Sequence, residues 1–215
     1  MSEWKSAKYW KNRPVAERLE NLKIPRRYKN ITMASYNPNI GDKNAYEAIL
    51  TWQQEASKHV SEGMGLYIYG DSGVGKTHLA QALLKELVTE HTLSGMFIPT
   101  TTYIEMMYDE IRNNGELPEE YADQNVAKYL RRIYDVVILD SLGEEHDSDF
   151  TKRSLMSFLE NRYNCKLTTI ITSNLSPMRI KSRYGERFHS ILHDCCMSIP
   201  VLGDNQRITQ DYAGK

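Results

Sequence analysis

Short apolar runs alternate along the chain with longer segments whose apolar residues recur at helical spacing. The runs are LYIY (66–69), GMFIPT (95–100), YDVVILD (134–140), LTTIITS (167–173) and CMSIPVL (196–202). The segments between them predict helices at 76–90, 101–113, 118–132, 149–163 and 176–193. Apolar runs of this length that alternate with helices are typical of parallel strands buried on both faces. The pattern therefore predicts a three-layer α/β fold with a five-stranded parallel sheet.

The first 63 residues follow a different pattern. SAKYWKNRPVAERLENLK predicts a helix, with Pro14 as the start of a second short helix. Residues 24–42 predict an extended linker because Pro25, Pro38 and Gly41 interrupt them. NAYEAILTWQQEASKHVSEG then predicts a helix that ends near Gly63.

Composition indicates a soluble globular protein. The chain has 215 residues, of which 40% are hydrophobic and 26% are charged. The N-terminus lacks the apolar core of a signal peptide, and no apolar run reaches the ~18 residues of a membrane span. Cys165, Cys195 and Cys196 form neither a metal-binding spacing nor an even disulfide set. We therefore expect a cytoplasmic protein without membrane contact.

Charge is unevenly distributed, although the net charge is only −1. Residues 1–29 carry nine Lys or Arg against three Glu, a local excess of six positive charges. An ordinary solvated surface explains this excess as well as contact with nucleic acid or an acidic partner does. Charge alone leaves both interpretations open.

A phosphate-binding motif follows the first apolar run. GDSGVGKT matches G-x-x-x-x-G-K-[ST], with a predicted strand before it and a predicted helix after it. Glycines let backbone N–H groups surround a phosphate, and the helix N-terminus adds positive potential. Lys76 would neutralise the β- and γ-phosphates of ATP, and the Thr77 hydroxyl would bind Mg²⁺. The predicted nucleotide-binding residues are Gly70, Asp71, Ser72, Gly73, Val74, Gly75, Lys76, Thr77 and His78.

Two further polar residues stand at the ends of buried strands. Asp140 ends YDVVILD, and we expect its strand to lie beside the P-loop strand, where the carboxylate would contact Mg²⁺ through water. Asn174 ends TTIITSN, where its amide would position the attacking water or touch the γ-phosphate. An asparagine after a strand is more often a turn residue, so its functional interpretation depends on the other motifs.

Together, GDSGVGKTHLAQALL, YDVVILDSLGEE and TIITSNLS resemble the AAA+ ATPases of the DnaC/DnaI helicase-loader and IstB group. IPRRYKNIT is similar to the linker that precedes the core in that group, and YGERFHSIL with GDNQR resembles its arginine-bearing C-terminal section. The resemblance implies a loader that places a hexameric replicative helicase on single-stranded DNA, self-associates as an AAA+ oligomer and uses ATP as a switch. It also implies that Asp140 is the Walker B acid, Asn174 is sensor 1, Arg187 is the arginine finger and Arg207 is a sensor-2-like residue.

The chain departs from that group at two places. Where a second Walker B acid often follows the first, this chain has Ser141, which cannot polarise water as a carboxylate does. Glu144 or Glu145 is a candidate replacement, and Glu145 is assigned with the catalytic residues. Where a second arginine often follows the finger, this chain has Ile191, so Arg183 remains an alternative to Arg187. Slow hydrolysis is therefore expected.

The resemblance also suggests domain boundaries. They are a partner-docking helical segment at 1–23, a linker and leading helix at 24–63, and an AAA+ core at 64–215. Only thirteen residues follow Leu202, whereas three lid helices would need roughly 40, so we expect a reduced or absent lid.

Two regions are candidates for macromolecular contact. Trp4, Tyr9 and Trp10 lie beside Lys5, Lys8 and Lys11, and docking onto a partner is weighed against folding back onto the core. Single-stranded DNA would contact phosphate-binding and stacking residues in 100–132, although charged helix faces with tyrosines in the core explain them as well. These candidates are Thr100, Thr101, Tyr103, Tyr108, Arg112, Tyr121, Lys128, Arg131 and Arg132.

Three other functions compete with helicase loading. An IstB-like helper would bend target DNA and recruit a transposase. A small-molecule kinase would use the same P-loop, although Asn174 and the C-terminal arginines disfavour it. A non-hydrolysing ATP-dependent adaptor is consistent with Ser141.

Overall fold

A five-stranded parallel sheet forms the centre of the protein. The structure, a computed structural model, describes residues 12–112, 130 and 134–206. The strands occur in the order β2-β3-β4-β1-β5, and each pairs in parallel with its neighbours. Their bounds are β1 Gly65–Tyr69, β2 Gly95–Pro99, β3 Val136–Leu142, β4 Thr168–Ser173 and β5 Cys196–Pro200. The predicted sheet is thus confirmed.

Helices precede the sheet and connect its strands. The predicted helix at 118–132 lies outside the described residues apart from residue 130. The described helices are α1 Val15–Asn21, α2 Lys43–Gln54, α3 Ala56–Glu62, α4 Lys76–Glu90, α5 Thr100–Arg112, α6 Asp149–Asn164, α7 Pro177–Tyr184 and α8 Glu186–Cys195. No helix among them is long and apolar enough to cross a membrane.

Side chains from the strands enter two apolar layers. Ile68 and Ile138 pack with Leu83 of α4 in one cluster, whereas Tyr67 packs with Phe158 of α6 in the other. Successive strand residues point to opposite faces, so one strand supplies both layers. Helices therefore cover both faces of the sheet, as the three-layer prediction requires.

Some element boundaries differ from the predicted ones. The single helix predicted at 176–193 is two helices, because Gly185 adopts φ +91° between them. The predicted extended linker contains two 3-10 helices, Arg26–Tyr28 and Met33–Ser35. The predicted helix before Gly63 is likewise divided, into α2 and α3.

The strand order corrects the expected position of Asp140. Its strand, β3, does not lie beside β1, because β4 separates the two. The carboxyl ends nevertheless meet at one edge, since Tyr69 pairs with Ser173 on β4 and Leu142 of β3 also pairs with Ser173. Residues that follow β1 and β4 can thus approach Asp140 from one side of the sheet.

Helix α1 packs against α4 as part of the folded core. Arg18 is buried, and its Nη1 donates to the carbonyl oxygen of Val88 at 2.5 Å. Leu22 is also buried, within the same apolar cluster as α4. The segment predicted to dock a partner, 1–23, therefore includes residues that the core buries, whereas Trp4, Tyr9 and Trp10 lie outside the described residues. Its boundary at residue 23 stays a prediction.

Candidate nucleotide-binding site

The phosphate-binding loop connects β1 to α4 at the carboxyl edge of the sheet. Gly70 begins the loop, and its N–H donates to the carbonyl oxygen of Ser173 at the end of β4. Gly75 ends the loop with φ +102°, a backbone conformation that residues other than glycine rarely adopt. Lys76 and Thr77 then form the first turn of α4, where unpaired N–H groups favour an anion.

A cavity of 390 Å³ opens at this edge. It lies between the loop, the ends of β3 and β4, and the 3-10 helix Arg26–Tyr28. Its lining residues are Arg27, Tyr28, Ser72, Gly73, Gly75, Lys76, Thr77, His78, Asp140, Ser141, Glu144, Asn174 and Gln206. Most of the predicted nucleotide-binding residues thus surround one space, although the Val74 side chain points into the apolar core instead.

The structure brings Lys76 and Asn174 together. Lys76 is only 8% exposed, and its Nζ donates to Asn174 Oδ1 at 2.8 Å. The same ammonium donates to the carbonyl oxygens of Gly70 and Asp71 at 2.8 and 2.6 Å. The positive charge is therefore held inside the loop, where a phosphate group would meet it.

Asp140 sits on the other side of the loop, next to Thr77. Its Oδ1 accepts from the hydroxyls of Thr77 and Thr172 at 2.7 and 2.6 Å. Its own carbonyl oxygen accepts from Thr100 at 2.8 Å. Sequence reasoning missed Thr172 as an Asp140 partner, although a threonine within the buried strand TTIITS was a signal for it.

Thr77 and Asp140 together form a suitable donor set for Mg²⁺. Hydroxyl and carboxylate oxygens are hard ligands, and protein Mg²⁺ sites commonly use one or two of them beside phosphate oxygens and water. Thr77 Oγ1 and Asp140 Oδ1 are 2.7 Å apart, so the two oxygens are close enough to share one ion.

The two candidate replacements for the missing Walker B acid point in different directions. Glu144 lines the cavity, and its Oε1 accepts from Asn174 Nδ2 at 3.3 Å. The Glu145 carboxylate is buried away from the cavity, where it contacts the Gly143 N–H, Arg183 and the Tyr184 hydroxyl. The catalytic assignment of Glu145 is therefore not supported by its position, because protein groups already occupy its carboxylate.

Residues that are distant in sequence from the phosphate-binding loop form the outer wall of the cavity. The Arg27 guanidinium lies 4.6 Å from the centre of the Tyr28 ring. Gln206 N–H donates to the carbonyl oxygen of Gly73 at 3.1 Å. Sequence reasoning did not assign these three residues to the site, although they lie in IPRRYKNIT and GDNQR, two segments that carry the family resemblance. Arg207, predicted as a sensor-2-like residue, lies outside the described residues.

His78 follows Thr77 and faces the segment that precedes the sheet. Its Nε2 is 3.2 Å from the Ser35 hydroxyl. Burial lowers the pKa of His78, so the neutral imidazole is favoured near neutral pH.

The fold and the geometry of the phosphate-binding loop agree with the protein family that the chain matches. The family model for the IstB-like ATP binding protein matches residues 11–210 of the chain. The chain belongs to this family. Its fold is that of the AAA+ P-loop proteins, as the similar solved structures show.

Individual relatives include replication proteins. Replicative helicase loader DnaI of Bacillus subtilis (strain 168) is 29% identical over 126 residues, covering 57% of this chain and 37% of DnaI. Chromosomal replication initiator protein DnaA of Campylobacter fetus subsp. fetus (strain 82-40) is 29% identical over 151 residues, covering 70% of this chain and 32% of DnaA. The crystal structure of the DnaC helicase loader matches with a TM-score of 0.72 and 27% identity, covering 83% of this chain and 100% of that chain. The chain thus spans about a third of the length of these two curated relatives.

The arginines considered as fingers of this family member lie outside its cavity. The Arg187 side chain is 79% exposed, and its Nε donates to Glu160 on α6 at 2.6 Å. Arg183 Nη2 instead donates to the Glu145 carbonyl oxygen at 2.6 Å. Of the two, Arg187 has the exposure that contact with another subunit requires.

The candidate DNA contacts divide between core and surface. Thr100 and Tyr103 are fully buried, so both belong to the core and their proposed DNA contact is wrong. Thr101, Tyr108 and Arg112 are exposed on α5. The remaining candidates, Tyr121, Lys128, Arg131 and Arg132, lie outside the described residues.

The neighbouring cysteines are buried at the junction of α8 and β5. Cys195 Sγ and Cys196 Sγ are 3.8 Å apart, and Cys196 contacts the Thr169 carbonyl oxygen. No group of three or more potential metal ligands occurs in the part of the chain that the structure describes.

Proposed function

We propose that the protein loads a replicative DNA helicase onto single-stranded DNA and uses ATP binding and slow hydrolysis as a switch. The observation that carries this proposal is the likeness to the DnaC helicase loader over the whole of that chain. The similarity to DnaI, also a replicative helicase loader by name, supports it.

The residues that line the cavity support a role in ATP binding and hydrolysis. Lys76 would bind the β- and γ-phosphates, and Asn174, which is hydrogen-bonded to Lys76, would help to orient the γ-phosphate. Thr77 and Asp140 would hold Mg²⁺, which neutralises phosphate charge when it is bound. Water would then attack the γ-phosphorus, and ADP would leave as the bond between the γ-phosphorus and its bridging oxygen breaks.

Hydrolysis is expected to be slow and to depend on assembly. Ser141 stands where a carboxylate would activate the water, and Arg187 faces away from its own cavity. An exposed arginine on α8 is suited to reach the γ-phosphate of a neighbouring copy, as an arginine supplied in trans does. Self-association into an AAA+ oligomer would complete the site.

Residues 1–11 are the proposed contact with a hexameric helicase. They include Trp4, Tyr9 and Trp10, and aromatic anchors contribute much of the binding energy in many interfaces. Three lysines beside them would mainly speed association with an acidic surface. Single-stranded DNA would contact the exposed residues of α5 and the segment that follows it.

Deleting residues 1–11 tests the helicase contact without removing α1 from the core. We expect the truncated protein to bind ATP as the full chain does but to lose co-elution with a hexameric replicative helicase in size-exclusion chromatography. The double substitution Trp4→Ala and Trp10→Ala should act in the same way. Changing Lys5, Lys8 and Lys11 to Gln is the matched control, which should slow association without abolishing it. Co-elution of the truncated protein would contradict the proposed docking segment.

A second candidate is a helper ATPase in transposition. It is favoured by the match to the IstB-like family, which covers residues 11–210. Pull-down with the full chain separates the two candidates, because a loader retains a replicative helicase and a transposition helper retains a transposase.

A further inference from the structure

Ser141 does not supply the base for hydrolysis. Its hydroxyl is 3.4 Å from Asp140 Oδ2, and its backbone N–H donates to Thr172 Oγ1 at 2.8 Å. A serine hydroxyl accepts a proton poorly near neutral pH, whereas a carboxylate accepts one readily. The cavity therefore needs another carboxylate if water is to be activated there.

The chain reverses after Ser141 and brings Glu144 back to the cavity. Glu144 N–H donates to the Ser141 carbonyl oxygen at 3.2 Å, which closes a four-residue turn. Gly143, the third residue of this turn, adopts φ +103°, a conformation that glycine adopts more readily than other residues. A Cβ at residue 143 would lie 2.8 Å from Leu175 Cδ1, so a larger residue there would also require the Leu175 side chain to shift. The turn thus places the Glu144 side chain in the same cavity as Ser141, the position of the missing acid.

Asn174 links Glu144 to the phosphate-binding lysine. Its Nδ2 donates to Glu144 Oε1 at 3.3 Å, while its Oδ1 accepts from Lys76 Nζ at 2.8 Å. One amide therefore joins the carboxylate and the ammonium that would bind the γ-phosphate. Glu144 and Lys76 both line the cavity, so a water beside the Glu144 carboxylate would be inside the space that the phosphates of ATP would enter.

Among the described residues that line the cavity, only Asp140 and Glu144 carry carboxylates. Asp140 Oδ1 accepts two hydroxyl hydrogen bonds, one of them from Thr77 on the Mg²⁺ side. Within the described part of the chain, the Glu144 side chain forms a hydrogen bond with Asn174, and Glu144 is exposed to solvent. Its carboxylate is consequently the one that solvent water reaches.

We propose that Glu144 is the general base for ATP hydrolysis in this protein and replaces the second Walker B acid. This inference rests on the proposed ATPase function. Its carboxylate accepts one proton from water as the water oxygen bonds to the γ-phosphorus. The bond to the bridging oxygen breaks, ADP takes that electron pair, and the proton passes from Glu144 to solvent. An exposed turn holds a side chain less rigidly than a strand, so this base works more slowly than an acid at position 141 would.

Three variants of the full chain test the role of Glu144. Glu144→Gln keeps the size and polarity of the side chain but removes the base. Asp147→Asn is the matched control, because Asp147 is an exposed carboxylate of the same loop, is paired with Lys152 and does not line the cavity. The double variant Glu144→Gln with Ser141→Glu adds an acid at the position that the family uses. Phosphate release, equilibrium ATP binding and thermal unfolding are measured for each, with Mg²⁺ and single-stranded DNA present.

We expect Glu144→Gln to lower kcat by about 100-fold or more, which is the usual contribution of a general base. ATP affinity and unfolding temperature should match those of the original chain. Asp147→Asn should retain full turnover, and the added Glu at 141 should restore turnover to the Gln variant. If Glu144 had only a structural role, a Glu at position 141 would not restore turnover.

Three results would overturn the inference. Wild-type turnover in Glu144→Gln would exclude Glu144 as the base while leaving the ATPase function intact. An equal loss in Asp147→Asn, or no rescue by Glu at 141, would assign the effect to the loop as a whole. ATP binding without any turnover in the original chain would reject both this inference and the hydrolysis on which it rests.

Discussion

Glu145→Gln should destabilise the fold without removing a catalytic group. The Glu145 side chain is 1% exposed, and its Oε2 accepts from the Gly143 N–H at 2.8 Å. Its Oε1 accepts from Arg183 Nη2 at 3.2 Å and from the Tyr184 hydroxyl. Burial is the main reason that the pKa of Tyr184 is raised, so this hydroxyl remains a donor at neutral pH.

Glutamine has the same shape but only one acceptor oxygen. Its amide NH₂ must face either the Gly143 N–H or the Arg183 and Tyr184 donors, so at least one of these donors loses its acceptor. Breaking a buried ion pair costs about 3–5 kcal/mol. Arg183 is 23% exposed and is partly solvated, which reduces the expected loss to about 2–4 kcal/mol. For a domain of this size, that loss corresponds to roughly 5–15 °C in Tm.

Urea and thermal unfolding measure this loss directly. Glu186→Gln is the control, because Glu186 also pairs with a cation, Lys181, but its side chain is 71% exposed. The control should change the free energy of unfolding by less than about 0.5 kcal/mol. Unchanged stability of Glu145→Gln, combined with lost ATP turnover at equal ATP affinity, would refute this reasoning and restore Glu145 as the catalytic acid.

Three further substitutions test the site and the fold. Lys76→Ala should weaken ATP binding by about 100-fold or more in equilibrium titration, because about 3 kcal/mol of charge-assisted phosphate contact is lost; near-normal affinity would contradict the site assignment. Arg162→Met should lower the free energy of unfolding by about 3–5 kcal/mol in urea, because the carbonyl oxygens of Leu130, Tyr134, Asp135 and Thr168 would lose the buried guanidinium that donates to them; a change below about 1 kcal/mol would show that water satisfies these carbonyl oxygens instead. Arg187→Ala should keep ATP affinity and stability but lose turnover, and mixing it with Lys76→Ala should recover part of that turnover if the finger acts between subunits. No recovery in the mixture would count against action in trans.

The fold class and the phosphate loop could be predicted from the sequence because both depend on consecutive residues. GDSGVGKT contains its own glycines, lysine and threonine, and the strand before it and the helix after it are marked by local apolar spacing. Asp140 and Asn174 were found for a related reason. Asp140 lies near the end of β3 and Asn174 directly follows β4, and the carboxyl ends of such parallel strands share one edge of the sheet.

Tertiary structure alone decided which distant residues complete the site. β4 lies between β1 and β3, an arrangement that the spacing of apolar runs does not encode. Arg27 and Tyr28 reach the cavity because residues 24–42 fold over the loop. The buried Thr100 hydroxyl donates to the backbone carbonyl oxygen of Asp140 and does not face DNA.

Glu144 and Glu145 show most clearly what the sequence alone could not predict. They are adjacent and chemically identical in the sequence, so residue type gives no preference between them. The turn at Gly143 directs Glu144 toward Asn174, whereas Arg183 and Tyr184, almost forty residues away, bond to the buried carboxylate of Glu145. The sequence by itself therefore determined the loop, the strand ends and the fold class, whose causes are local. The position of the carboxylate that lines the cavity depends on packing between distant segments, and only the folded structure contains that information.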